Sequence, residues 1–350
     1  MHIPDGYLSP ATCAVTFAVT LPFWIRAMRK IERVEDARTI PLIALVSAFS
    51  FVIMMFNLPI PGGTTAHAVG LGIAAILLGP WAAVLAISVA LLIQAVFFGD
   101  GGITAFGANC LNMAVVGPMV AWAVWRIGTA GASVGARRQV IVAGLAGYAG
   151  INASALIAAL EFGVQPMFFT DAGGAPLYAP YLLSVAVPAM AITHLTIAGA
   201  AEFIATAGIV AWLQRSNPDL LMRSESVSEG RGWSALGWLW AGLAALVVLS
   251  PLGLIASGTA WGEWGADDFT SAEGRAAMAT ASGGMSPPDT LPGGFAGLAD
   301  VWRAPMPDYA PVFLQNETLG YVLSALVGVA LVTALVLLGA RLRAARPRQA

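Results

Sequence analysis

Met1 and His2 carry three nitrogens that one metal ion can take together: the free α-amine, the backbone nitrogen of His2 and its imidazole. Held by one ion, they close two fused chelate rings. One further nitrogen completes a square plane, an arrangement that suits Cu(II) or Ni(II) and fits tetrahedral zinc poorly. Such a site binds as the amine and amide lose protons, so affinity should rise with pH. A lone histidine near a terminus is more often a solvated side chain, and the chelate therefore needs a partner elsewhere in the chain. The sequence has three histidines. His67 ends the Pro/Gly-rich stretch Asn57-Leu58-Pro59-Ile60-Pro61-Gly62-Gly63-Thr64-Thr65-Ala66, where glycines admit unusual backbone dihedrals and close approach. It is the natural fourth ligand if it shares a membrane face with His2; otherwise it is a satisfied histidine at a helix end.

The elements that must position these residues are membrane helices. Of 350 residues, 58% are hydrophobic and 10% charged, which makes an all-α polytopic membrane protein. Apolar runs of about 20 residues place spans near 8–27, 40–57, 66–79, 81–98, 108–126, 139–160, 182–213, 233–256 and 319–340. The third is short and reads as tilted or partly re-entrant. The first seven form a metal-binding core over 1–214. A polar linker, 215–232, leads to a two-helix accessory unit over 233–340, whose two spans flank a Gly-, Pro- and Asp-rich loop at 257–318; a basic tail follows at 341–350. The loop holds eight acidic residues against two arginines, Glu263, Asp267 and Asp268 among them, and reads as a solvated connector that concentrates cations weakly.

Basic residues gather in cytoplasmic loops. With an external N-terminus and cytoplasmic C-terminus, all seventeen except Arg275 and Arg303 fall inside. This topology brings Met1, His2 and His67 to one external face, together with the loop Phe98-Gly-Asp-Gly-Gly-Ile-Thr-Ala-Phe-Gly-Ala-Asn109. Buried polar side chains in lipid are costly and tend to pair or line a cavity. Thr65, Gln94 and Asn109 are thus candidate supports for the ligands, whereas Asn112 reads slightly better as a joint between helices. No leader is expected, because the run Tyr7–Met28 lacks a preceding basic flank, and bulky His2 disfavours removal of Met1. The two cysteines, Cys13 and Cys110, make neither a disulfide framework nor a thiolate metal site.

The near-neutral charge of -2 and the lack of a basic stripe with interleaved aromatics argue against nucleic acid as a partner. With Lys30 as its one lysine, the chain cannot hold a Gly-x4-Gly-Lys phosphate loop, so energy for uphill transport must come from another protein. No nucleophile elbow or His-Glu-x-x-His motif is present. Two rivals stand beside transport: a membrane-embedded enzyme using mid-span His194 and Glu202 as acid and base, and a scaffold whose 257–318 loop docks an external partner. Glu161 reads as a boundary charge at the external end of the sixth span.

The opening Met1-His-Ile-Pro-Asp-Gly-Tyr-Leu-Ser-Pro10, then Pro59-Ile-Pro-Gly-Gly-Thr-Thr-Ala-His67, Leu-Leu-Gly-Pro-Trp81, Gln94 and the Phe98–Asn109 loop resemble the substrate-binding membrane subunit of energy-coupling-factor nickel/cobalt transporters, the NikM/CbiM type. The likeness runs in order through about residues 1–215. Beyond the linker, two spans around a long loop resemble the small NikN/CbiN-like accessory subunit, fused here to the large one; Ser250-Pro-Leu-Gly-Leu254 matches its opening motif without the acidic residues. The resemblance implies Ni(II) or Co(II) as transported substrate, captured by the Met1 amine, the His2 amide and imidazole and the His67 imidazole. It also implies a transmembrane coupling subunit and cytoplasmic ATPase subunits as partners in the cell inner membrane. The Pro-Asp-Gly opening resembles the nickel branch; the cobalt branch, serving cobalamin synthesis, opens with Met-Glu-Gly.

Overall fold

The computed structural model describes residues 1–32, 39–131, 135–221, 236–311 and 313–344. Arg33, Arg38, most of the expected 215–232 linker and the last residues of the basic tail lie outside them.

Helix α1 (Pro10–Ile31) starts where Ser9 accepts a hydrogen bond from the Thr12 N–H and Pro10 sets the first helical dihedral. It is followed by α2 (Thr39–Met54), the hairpin β1 (Leu58–Ile60) and β2 (Thr64–Ala66), α3 (Leu71–Leu78) and α4 (Pro80–Ile93), which runs on through a π-type stretch to Phe98. Next come α5 (Phe106–Asn109), a second π-type stretch (Cys110–Val116), α6 (Gly117–Gly128), α7 (Ala136–Phe168), α8 (Leu183–Leu195) and α9 (Ile197–Ser216). The C-terminal unit is α10 (Gly237–Leu249), three short helices α11 (Ala266–Thr270), α12 (Ala272–Ala281) and α13 (Gly293–Leu298), and α14 (Glu317–Ala344). Seven of these helical stretches are long and apolar enough to cross a bilayer, the last being Glu317–Leu342. The shorter α2 and α3 lie where two further spans were expected, and α3, at eight residues, is too short to cross a bilayer as helix.

Three departures from the sequence reading have physical causes. The expected span at 66–79 is helical only from Leu71; Ala66 ends β2, and residues 67–70 lead into the helix as irregular chain with Gly70 in the left-handed region. Buried non-helical backbone must find partners, and Glu202 of α9 supplies them: its carboxylate accepts from the N–H groups of Val69 at 2.8 Å, Gly70 at 2.9 Å and Gly72 at 3.0 Å. The expected span at 182–213 is two helices broken at Thr196, whose backbone leaves the helical region (φ -108, ψ -98).

The loop at 257–318, expected to be a solvated connector, is folded onto the core. Trp261, Trp264, Phe269 and Phe295 are buried, and Tyr7 meets Phe295 and Phe162 edge-to-face at 5.1 and 5.6 Å. Aromatic side chains bury large areas each, so a few of them anchor a segment that has no periodic apolar face.

Close approach of backbones holds the core bundle. A Cβ on Gly147 of α7 would stand 2.6 Å from Thr206 Oγ1 of α9, and one on Gly72 would stand 2.6 Å from the Gly147 Cα, the small-residue contact by which membrane helices associate. Helix α14 packs along α2, with Tyr321 donating to the Met55 carbonyl at 2.7 Å. Exposed Val15, Phe17, Val19, Leu21 and Ile25 give α1 a lipid-facing side.

Candidate metal-capture site

The first nine residues form an irregular strap buried across one end of the bundle. Asn109 grips it as a backbone partner would: its Oδ1 accepts from Ile3 N–H at 2.8 Å and its Nδ2 donates to Ile3 C=O at 3.0 Å. Gly102 N–H donates to the same carbonyl at 2.8 Å. Asp5 accepts from the Ile103 and Thr104 amides at 3.1 and 2.8 Å and from the Thr104 hydroxyl. Ser9 N–H donates to Gln165 at 2.9 Å. The glycines of this loop are needed: Gly101 has φ +85, and a Cβ there would lie 3.0 Å from Asn109 Nδ2 and 3.4 Å from His2 Cδ2.

Thus held, Met1 is 5% exposed, His2 1% and His67 6%. The His2 and His67 rings stand 5.1 Å apart between centroids, tilted by 37°. His67 Nδ1 lies 3.0 Å from the Ala68 carbonyl oxygen. A carbonyl only accepts, so Nδ1 carries the proton and Nε2 keeps its lone pair free, which is how an outer partner prepares a histidine to bind metal. Neither ring nitrogen of His2 has a hydrogen-bond partner. Its Nδ1 does lie 3.0 Å from Asp100 Oδ1, but off the line a hydrogen bond needs. Buried nitrogens without partners in a native fold call for an explanation.

Two carboxylates complete the cluster. Glu263 Oε1 lies 2.9 Å from the Met1 ammonium. One ligand atom each from His2, Asp100 and Glu263 can be chosen so that all lie within 4.8 Å of one another. Burial, and then the Met1 ammonium, pull the His2 imidazole down to about 4 against the pull of Glu263; burial and His2 do the same to His67, also about 4. Both rings are therefore neutral and ready to ligate near pH 7. Burial and Glu263 push Asp100 up to about 6. Burial works to raise Glu263, yet the ammonium and the two imidazoles outweigh it and hold it below the usual carboxylate range. The cluster opens onto a cavity of about 550 Å³, whose charged lining residues are Asp5, Asp100, Glu263, Asp300 and Asp308, with no lysine or arginine.

Residues 2–220 match the family described as the cobalt uptake substrate-specific transmembrane region, and residues 236–345 match the PDGLE domain. The chain belongs to the cobalt-uptake family. It is 74% identical to the fused nickel transport protein NikMN of Rhodobacter capsulatus over 98% of both chains. It is also 42% identical to the probable fused nickel transport protein LarMN of Lactiplantibacillus plantarum over 94% of both. A crystal structure of a transition metal transporter, 49% identical, superposes with a TM-score of 0.57, covering 61% of this chain and 93% of its own. As a cobalt-uptake family member with a PDGLE domain, the chain is a multi-pass membrane transport component of the kind that works in a multi-subunit complex.

In this family member, Thr65, Gln94 and Asn109 are all buried near the strap and His67. Gln94 donates from Nε2 to Tyr309 at 2.9 Å and to Asp100 at 3.2 Å, so it steadies the carboxylate beside His2. Thr65 sits in β2 opposite Pro59 and lines the cavity with His67. Asn112 donates to Glu161 at 2.6 Å, which makes it a joint between helices and makes Glu161 a buried partner, 8% exposed, where a boundary charge was expected. Cys13 and Cys110 are separate, buried free thiols.

His194 and Glu202, the pair of the rival enzyme reading, each have a backbone partner of their own. His194 Nδ1 is 2.8 Å from its own helix's Met190 carbonyl, and Glu202 holds the three amides after His67. Sequence reasoning missed Asp100, which stands among glycines inside the loop singled out above. It named Glu263 only as one of the loop's weakly cation-concentrating charges, and its place beside Met1, 262 residues away, was not foreseen.

Proposed function

We propose that this protein is the metal-capturing component of an ATP-driven importer of Ni(II), with Co(II) as the second reading. The ion is held by the Met1 amine, the ionised His2 amide, the His2 imidazole and His67 Nε2. The observation that carries this is the pair of neutral, buried imidazoles 5.1 Å apart beside the chain's first nitrogen. Preference for nickel is supported by the 74% identical relative named as a nickel transport protein, while a 36% identical relative from Geobacter sulfurreducens is named as a cobalt transport protein.

The capture site faces outward in the cell inner membrane. Supporting this, Arg26, Arg29 and Lys30 end α1, far along the bundle from His2, and Arg126, Arg138, Arg215 and Arg341 also sit at helix ends remote from the site. A transmembrane coupling subunit and cytoplasmic ATPases supply the energy, in keeping with the absence of a phosphate loop in the sequence.

Calorimetric titration of the full chain with Ni(II) and Co(II) tests the reading. Tight 1:1 binding of Ni(II) that is lost in His67→Ala supports it; unchanged binding in that variant contradicts it.

A further inference from the structure

The capture site is not confined to the N-terminal core. Glu263 belongs to the C-terminal unit, yet its carboxylate lies 2.9 Å from the Met1 ammonium, and it is the one acidic side chain that contacts the chain's first nitrogen among the described residues. The contact is built. Trp261 packs edge-to-face on Phe162 at 5.8 Å and donates to Ser282 at 3.1 Å, and Tyr7 donates to the Trp264 carbonyl at 2.9 Å. The two tryptophans flanking Glu263 are therefore fixed to the strap and to α7. The unpartnered nitrogens of His2, 1% exposed, lie in the same cluster.

We propose that Glu263 is the fixed counter-charge of the capture site. It holds the Met1 nitrogen beside the two imidazoles before metal arrives and neutralises the site once loaded, so that the accessory unit forms part of the binding site. The inference rests on the ligand set proposed above. The charges balance: before binding, the four ligand groups carry one positive charge, on the ammonium. On binding, the amine and amide each release a proton to solvent while a dication enters, and the loaded site again carries one positive charge. A carboxylate fixed at the first nitrogen, beside Asp100 at His2 Nδ1, therefore serves both states, and the protein need not reorganise charge in a buried site where an uncompensated charge is costly.

The experiment uses the full chain, Ni(II) alone and a competing chelator at constant pH, with a parallel measurement that needs no metal. Glu263→Gln, which keeps the shape and loses the charge, should weaken Ni(II) binding about 10- to 100-fold, the usual effect of removing an outer partner at a metal site. Glu263→Asp should stay within about threefold of the parent, on the same scale. Glu273→Gln, an exposed charge change in the same loop, should leave binding unchanged. In metal-free protein, acetylation of the Met1 amine, followed by mass spectrometry of the N-terminal peptide, should be slow in the parent and faster in Glu263→Gln. Parent-like affinity and labelling in Glu263→Gln would overturn the proposal, as would equal losses in Glu263→Gln and Glu273→Gln, which would assign the effect to the loop's general field. Should His67→Ala bind Ni(II) as the parent does, the ligand set fails instead, whatever Glu263→Gln does.

Discussion

The molecule buries histidines and carboxylates in two settings, the strap end with His2, His67, Asp100 and Glu263, and helices α8 and α9 with His194 and Glu202, and the two differ in which polar atoms are taken. At Glu202 three amides, those of Val69 and Gly70 before α3 and of Gly72 within it, take the carboxylate, and His194, like His67, gives Nδ1 to a backbone carbonyl. At His2 neither ring nitrogen has a hydrogen-bond partner, and the nearest carboxylate oxygen, of Asp100, stands 3.0 Å from Nδ1. Burial is equal; satisfaction is not. A saturated polar cluster stabilises a fold, whereas an unsatisfied one beside a cavity holds binding energy for something absent from the chain.

The comparison predicts opposite phenotypes. Replacing a ligand should cost binding and little stability: His2→Ala or His67→Ala should lower Ni(II) affinity on the order of 1,000-fold, about 4 kcal/mol, with a near-parental unfolding temperature in detergent. Replacing the saturated carboxylate should do the reverse. Glu202→Ala leaves three buried amides without an acceptor, at ~1–3 kcal/mol each before relaxation, so the unfolding temperature should fall clearly. Ni(II) affinity should drop by a smaller factor, through a loosened His67. Should Glu202→Ala abolish binding at unchanged stability, the division between the two regions fails.

Acidity sharpens the contrast. His2 and His67 are held at about 4 in the folded state against 6.5 ordinarily, so between those values the unfolded chain binds more protons. Asp100, held at about 6 against 3.8 ordinarily, works the other way, but two imidazoles outweigh one carboxylate, so the metal-free protein should lose stability as pH falls from 6.5 to 4, and His67→Gln should flatten that loss. Above pH 7 the rings no longer titrate. Any further rise of Ni(II) affinity should then come from the amine and amide, with about two protons released per ion, measurable by calorimetry in buffers of different ionisation enthalpy. The smallest effect is expected at the thiols, where Cys13→Ser should leave Ni(II) binding unaltered, because Cys13 bonds only weakly to the Leu8 carbonyl at 3.8 Å.

The sequence was most informative where chemistry is local. Met1 and His2 are adjacent, so their chelating capacity needs no fold to be seen, and hydropathy marks helices whatever their packing. Gln94 and Asn109 were visible as polar residues in apolar surroundings. The role of Glu202 was not, because the amides it satisfies belong to a stretch that hydropathy reads as helix. Glu263 was hidden for a different reason: its position depends on Trp261 and Trp264 packing against a core more than 90 residues away in sequence, and aperiodic segments carry no pattern from which that packing could be inferred.

The central claim is that the chain's first nitrogen binds metal together with the two imidazoles, and blocking that nitrogen by acetylation, with no residue added, tests it. The parent, titrated with Ni(II), should develop the yellow d–d absorption of square-planar nitrogen ligation. The Nα-acetylated chain, its amine turned into an amide, should lack that band and the tight binding that goes with it. If the acetylated chain gives the same band at the same affinity, the Met1 amine is not a ligand and the account is wrong.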